Sequence, residues 1–302
     1  MRRMIGIVLV TVVCTLVSCS EVTQDTPAVS DTSEFESPYF EVSVVGTGPS
    51  VILMPGLASS GAVWDETVDA LKNDYTLHVV QVSGFAGAPA NGNAENENIL
   101  EDLASGLSEY TAYLEEPPVL VGHSLGGLVT LKTALDPEAQ LSSIVVVDVL
   151  PFFSMLMDEN ATAESIAPIA EIMKTTLLNQ SDEVFALRQA EALSALVKSE
   201  DDLEKALAWS VDSDRAVMAQ AMAEVLVTDL RDEISDISVP ASILYARDDE
   251  IENMEAIEAY YKALYEVIPN HRLIAIDNAL HFVMLDQPTA FQAAILMEMS
   301  QD

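Results

Sequence analysis

An α/β fold, with a mostly parallel central sheet flanked by helices, follows from two features of the sequence. Short apolar runs of the kind found in buried parallel strands alternate with longer helical segments. Such alternation needs crossover connections, which place helices on both faces of one sheet. The pattern breaks once, from Phe152 to about Glu233, where the chain reads as helix throughout. This stretch is expected to be a helical cap inserted between two strands of the sheet.

The elements follow in order. Phe40–Val45 is strand-like and Gly46–Pro49 turns the chain. Val51–Met54 is a short apolar run, Gly61–Leu71 is helical, and Leu77–Val82 is a strand. A loop rich in Gly, Ala, Pro and Asn covers Gly84–Asn93. Asn96–Leu114 is helical and ends before Pro117-Pro118. Val119–Val121 is a strand, Ser124–Leu135 a helix, and Ile144–Val147 a strand. In the insertion, Ser181, Ser199 and Asp212 or Ser213 sit where helix N-caps belong. Beyond it come a strand at Ser242–Ala246, a helix at Met254–Tyr265 and a last strand at Arg272–Ile276. The final helix, Pro288–Met299, carries Pro in its first turn.

Charge narrows the function classes. The 302 residues include 49 Asp and Glu against 13 Lys and Arg, a net charge of -36. Such a surface repels phosphate backbones, so nucleic acid is excluded as a partner. With only 4 His, 2 Cys and no His-Glu-x-x-His spacing, the sequence supports no metal centre, and no cofactor is expected. It is silent on oligomeric state.

The N-terminus has its own signal. Arg2 and Arg3 precede an apolar run, Met4–Val17, that is short for a bilayer span but suits a signal-peptide core. It ends in Leu16-Val17-Ser18-Cys19, which resembles a bacterial lipoprotein signal. The resemblance implies cleavage before Cys19, lipid on its sulfur, and anchoring to the cell envelope. Residues 1–18 are then the signal, 19–37 a polar tether, and 38–302 the folded domain, with its insertion at about 152–233.

Chemistry concentrates around Gly122-His123-Ser124-Leu125-Gly126, with strand before and helix after. A Ser on a strained strand-to-helix turn exposes its hydroxyl above the sheet edge, and the flanking glycines let backbone approach. Serine is a weak nucleophile and needs a base. His281 is the candidate, on a loop between the last strand and the final helix, at the edge where open α/β sheets hold ligands. An orienting carboxylate is also needed. Asp249, after the strand that follows the insertion, is the first candidate; Asp248 and Asp148 are alternatives.

The chain order Ser, Asp, His, the Gly-His-Ser-Leu-Gly-Gly elbow, Met54-Pro55-Gly56-Leu57 and His281-Phe282-Val283-Met284 together resemble the α/β-hydrolase superfamily. The resemblance runs from about Tyr39 to Met299. It implies a serine hydrolase of carboxylesterase type that cleaves an ester or related acyl bond of a small apolar substrate, with the insertion as a lid. Met155, Met157, Met173, Met218 and Met222 in that insertion suit either an adaptable apolar pocket or plain helix packing. Amide, thioester and C–C cleavage occur in the same superfamily, and a non-catalytic binding protein on this fold is the contrasting reading. The resemblance also implies an oxyanion hole from the Leu57 and Leu125 N–H groups. Pro55 departs from the His-Gly pair common at this point, so the loop before Leu57 must be held differently. Phe85, after a strand at the same edge, is a candidate substrate contact.

Overall fold

A computed structural model of the chain describes residues 35–299; the signal-like segment and Cys19 lie outside the described residues. Seven strands form one sheet: β1 (Phe40–Gly46), β2 (Ser50–Met54), β3 (Thr76–Val82), β4 (Val119–His123), β5 (Ser143–Val147), β6 (Ala241–Arg247) and β7 (His271–Asp277). Their order is β1-β3-β2-β4-β5-β6-β7. Only β1, paired with β3, runs antiparallel. Each strand read from the sequence is present and one or two residues longer than its apolar run, because ladder bonding continues past the last apolar side chain.

Alternation within the strands sorts the core into two layers. Ile52, Met54, Leu120, Ile144 and Val146 face one side, with α2 (Ile99–Tyr113), α3 (Leu125–Leu135) and α8 (Met254–Tyr265). Val51, Leu53, Val121, Val145 and Val147 face the other, with α1 (Asp65–Leu71), α9 (Val283–Asp286) and α10 (Pro288–Met299). Strands β4 and β5 are buried along their whole length. Trp64 is fully buried here and stacks on Phe291 with centroids 5.9 Å apart.

Between β5 and β6 stand the inserted helices: α4 (Ala163–Asn179), α5 (Asp182–Leu193), α6 (Glu200–Asp212) and α7 (Arg215–Val227). Ser181 and Ser199 cap α5 and α6 as expected. The cap of α7 is Asp214 rather than Asp212 or Ser213, and it accepts from the Ala216 and Val217 N–H groups. Ser213 is occupied elsewhere: its hydroxyl donates to the Trp209 carbonyl and accepts from the Ala86 N–H. Met155 and Met173 pack against the small core that Ile166 and Ala170 of α4 share with Leu226 of α7, so these two methionines serve helix packing.

A carboxylate ties the insertion to the core. Glu224 of α7 accepts from the N–H groups of Ile99 at 2.9 Å and Leu100 at 2.8 Å, the first residues of α2. Asn98, the residue in the N-cap position, makes no side-chain cap. Glu224 therefore caps α2 from another part of the chain and meets the positive end of its dipole.

Near the far end of the sheet, His78 is buried, with its ring nitrogens 2.7 Å from the Tyr110 hydroxyl and 3.0 Å from the Ser50 hydroxyl. Burial depresses its pKa to about 4. The unfolded chain takes up this proton near the ordinary value of ~6.5 while the folded chain does not, so acidification from there to about pH 4 favours unfolding. We expect His78→Asn to flatten the loss of stability over this interval by about one proton, read from denaturant midpoints at several pH values. An unchanged slope would contradict a neutral, buried His78.

Candidate active site

All the chemistry-bearing loops leave the sheet at the C-terminal edge of its parallel strands. Paired positions place Met54 beside Gly122, His123 beside Val147, and Arg247 beside Asp277. The segments that follow these strand ends, carrying Leu57, Ser124, Asp148, Asp248 and His281, therefore lie along one rim.

Ser124 occupies the turn between β4 and α3 with φ 55° and ψ −120°. A positive φ in a residue with a Cβ is strained by about 1–3 kcal/mol. Three bonds hold the turn: the Ser124 N–H donates to the Val147 carbonyl at 2.9 Å, and its carbonyl accepts from the Gly127 N–H at 2.8 Å and the Leu128 N–H at 3.2 Å. The glycine spacing has a steric cause. A Cβ on Gly122 would lie 2.1 Å from the Gly126 carbonyl oxygen, and one on Gly126 would lie 2.5 Å from the carbonyl oxygens of Met54 and Pro55.

The loop after β2 lies against this turn. A Cβ on Gly56 would sit 3.1 Å from the Ser124 Cβ. Leu57 follows, and Ala58 adopts a left-handed φ of 53°. Among the described residues, no protein acceptor takes the N–H of Leu57 or of Leu125. Both remain available as donors, and Leu125 opens α3, where the helix dipole is positive.

His281 is pinned on both sides of its chain position. The Leu280 N–H donates to Asp286 at 2.7 Å, the His281 carbonyl lies 2.9 Å from His123 Nε2, and the Phe282 N–H donates to the Leu196 carbonyl at 3.1 Å. His123 is buried, and burial holds its pKa well below the ordinary value, so its ring is neutral. A carbonyl only accepts, so the proton sits on Nε2, and Nδ1 is left without a partner. The rings of His123 and His281 are 4.6 Å apart between centroids. His123 thus links the Ser124 turn directly to the histidine loop.

The carboxylate at His281 corrects the sequence expectation. His281 Nδ1 lies 2.7 Å from Asp148 Oδ2. The two acids after the next strand do not reach the ring: Asp249 is exposed, and Asp248 is turned to Lys198 and to the Glu250 N–H. Strand β6 runs through Arg247, which carries both acids past the histidine. Asp148 follows β5 with a left-handed φ of 50°, which folds its side chain back along the rim. Its Oδ1 accepts from the Ala246 N–H at 2.8 Å and the Tyr261 hydroxyl at 3.2 Å. Burial and the Asp148 charge together hold Tyr261 protonated, with its pKa well above the usual phenol value, so it remains a donor.

Phe85 is a second correction. Its side chain is fully buried in the core, and the preceding Gly84 packs on Val217 of α7, so Phe85 offers no surface to a substrate. The apolar contacts at the site come instead from the insertion. Phe185 of α5 and Met218 of α7 pack on Ala58, with Leu57 and Leu177 beside them. Met218 is one of the methionines for which the sequence allowed either a pocket or helix packing; nothing in the local sequence distinguishes Phe185 or Leu177. Arg215 lies over the Phe185 ring at 4.5 Å and pairs with Asp182.

Comparison with known proteins places the fold in a family. Residues 51–294 match the alpha/beta hydrolase family model, and the chain belongs to that family. Curated relatives include a pimeloyl-[acyl-carrier protein] methyl ester esterase from Aeromonas hydrophila, 29% identical over 82% of this chain and 93% of that protein. The esterase of the same description from Vibrio atlanticus is 28% identical over 84% and 94%. Solved structures of like fold include a hydrolase from Pseudomonas aeruginosa, with TM-score 0.69, 19% identity and coverage of 92% and 99%. An enol-lactonase from Burkholderia xenovorans follows at TM-score 0.68, 17% identity and coverage of 87% and 96%. The enzyme class expected from the sequence, an α/β-hydrolase of carboxylesterase type, agrees with these relatives.

The two carboxylates can be separated by mutation. We expect Asp148→Asn to lower kcat by ~10²–10⁴-fold, because an amide no longer fixes the imidazole proton on Nδ1. Asp249→Asn should leave kcat within about twofold, as an exposed surface change. Steady-state kinetics on one ester decides between them, and a large loss in the Asp249 variant alone would reverse the assignment.

Proposed function

We propose that the chain is a serine hydrolase that cleaves a small, apolar ester through an acyl-enzyme, with Ser124 as nucleophile, His281 as base and Asp148 as the orienting acid. The observation that carries this reading is the 2.7 Å contact between His281 Nδ1 and Asp148 on the rim that also bears the strained Ser124 turn. A carboxylate only accepts, so the neutral ring holds its proton on Nδ1 and keeps Nε2 open to receive another.

In the first half-reaction, the Ser124 hydroxyl proton passes to His281 Nε2 while Oγ bonds to the ester carbonyl carbon. The oxyanion takes hydrogen bonds from the Leu57 and Leu125 N–H groups. The C–O bond to the alcohol then breaks, and the alcohol leaves with the proton from His281. In the second half, water attacks the acyl-enzyme, gives its proton to His281, and the acid departs as Ser124 regains its hydrogen. The inserted helices act as a lid whose Phe185, Met218 and Leu177 form an apolar wall over the oxyanion loop. The relatives' names supply methyl esters as the first substrates to try.

Turnover of a short-chain p-nitrophenyl ester, together with labelling of Ser124 by a fluorophosphonate, tests this directly. We expect Ser124→Ala to abolish both; labelling of a different residue, or undiminished turnover in the variant, would refute it. Export and anchoring through lipid on Cys19 form a separate part of the proposal, supported by the leader sequence. Radiolabelled palmitate should enter the wild-type chain in a bacterial host and be absent from Cys19→Ser; equal labelling of the two would rule it out.

A further inference from the structure

We infer that Tyr261 is a positioning residue for the orienting acid: its hydroxyl holds the Asp148 carboxylate in the orientation that presents Oδ2 to His281. The inference rests on the serine-hydrolase reading above and deepens it. It starts from how few groups hold that carboxylate. Among the described residues, Oδ1 accepts from the Ala246 N–H at 2.8 Å and the Tyr261 hydroxyl at 3.2 Å, while Oδ2 meets His281 Nδ1 at 2.7 Å. A single donor on Oδ1 leaves the group free to turn about that contact. A second donor, from another element, removes that freedom and so steadies the oxygen that faces the imidazole. Tyr261 supplies that second donor from α8, and it is the one of the two that a side-chain substitution can delete.

Helix α8 is built to place this hydroxyl. Glu258, Tyr261 and Tyr265 follow one another at spacings of three and four, which puts them on one helix face. Glu258 Oε1 accepts from Arg247 Nη1 at 3.2 Å, at the end of β6. Tyr261 reaches Asp148, and the Tyr265 hydroxyl donates to the Val149 carbonyl at 2.7 Å. Two successive residues of the turn after β5 are thus tied to one helix face. The Asp148 N–H completes the turn by donating to the Leu244 carbonyl at 2.8 Å.

Packing accounts for the ring of Tyr261 but not for its hydroxyl. The ring is buried and stacks on Tyr245, with centroids 4.8 Å apart, and on Tyr265, at 6.1 Å. Phenylalanine would fill the same space. A buried hydroxyl requires an acceptor, and here the acceptor is the carboxylate that orients the base. Tyr245 supplies the contrast, since it belongs to the same stack but its hydroxyl goes to Glu258 at 3.4 Å. The Tyr261 bond is longer than the usual ~2.7–2.8 Å of an O–H···O bond, so its loss costs far less than loss of the carboxylate.

The test uses Tyr261→Phe in the full chain, with Tyr245→Phe as the control for the stack, on one p-nitrophenyl ester. We expect Tyr261→Phe to lower kcat about 3- to 30-fold with KM within about twofold. Tyr245→Phe should leave both within about twofold. A double-mutant cycle separates positioning from lost packing. With Asp148→Asn already in place the acid's function is gone, so Tyr261→Phe should cost less than about twofold more. A readout independent of turnover is the downfield proton resonance of His281 Nδ1–H, assigned by its loss in His281→Asn. Tyr261→Phe should shift or broaden this resonance, and Tyr245→Phe should not. An equal loss of kcat with and without Asp148→Asn, or a kcat and a resonance that Tyr261→Phe leaves unchanged, would overturn the inference while leaving the chemistry of Ser124 intact. Full turnover in Ser124→Ala would overturn the serine-hydrolase reading instead, and the resonance alone would then decide whether Tyr261 fixes the Asp148–His281 pair.

Discussion

The carboxylate of Asp148 is the point on which the site depends. It is a charge in a mostly enclosed position, and such a charge is tolerated only when its oxygens are satisfied. Each oxygen has a distinct source of donors. Oδ2 meets His281, while Oδ1 meets the backbone of β6 and the hydroxyl of Tyr261 on α8. These partners lie between about 98 and 133 residues further along the chain. In the folded state the enclosed carboxylate is therefore satisfied only where β5, β6, α8 and the histidine loop meet.

The histidine loop shows how the insertion enters that assembly. Leu280, His281 and Phe282 are held one after another by Asp286, His123 and Leu196. Leu196 follows α5 within the insertion, and Asp286 extends the same link by accepting from the Lys198 N–H at 2.9 Å. One carboxylate thus bridges the insertion and the base loop. Burial raises the Asp286 pKa, but the two N–H groups it accepts from, and Lys198, oppose that shift and favour the charged form. An insertion joined to the histidine loop in this way is coupled to the position of the imidazole, so its helices help to hold the site.

Much of this was legible in the sequence, for local reasons. The strands are short apolar runs with turn residues at their ends, and three of the inserted helices have Ser or Asp caps at or close to the expected positions. The Ser124 turn has a steric signature, because a Cβ on either of its two glycines would stand 2.1 to 2.5 Å from a carbonyl oxygen, well inside contact distance. The features that were not legible depend on partners distant in the chain. Asp148 and Asp249 each follow a strand at the same edge, and nothing local to either distinguishes them. The choice is made by a left-handed turn at Asp148, one more residue of strand before Asp248, and a tyrosine on α8. The burial of Phe85 and the capping of α2 by Glu224 are likewise properties of the folded whole.

Pro55 illustrates how the chain meets a local loss with a tertiary contact. Proline has no N–H to fix the loop before Leu57. The loop instead closes through a Ser59 N–H to Gly56 carbonyl bond at 3.2 Å and the left-handed turn at Ala58. That turn is strained in a residue with a Cβ and needs outside support. Support comes from above, where Phe185 and Met218 cover Ala58, and Arg215 in turn covers Phe185. The Leu57 N–H is therefore aimed by side chains more than about a hundred residues away. The Leu57–Ala58 loop and the histidine loop both rest on the insertion, so substitutions there act on the rim through position, and the acidic outer face can vary without disturbing the apolar contacts beneath it.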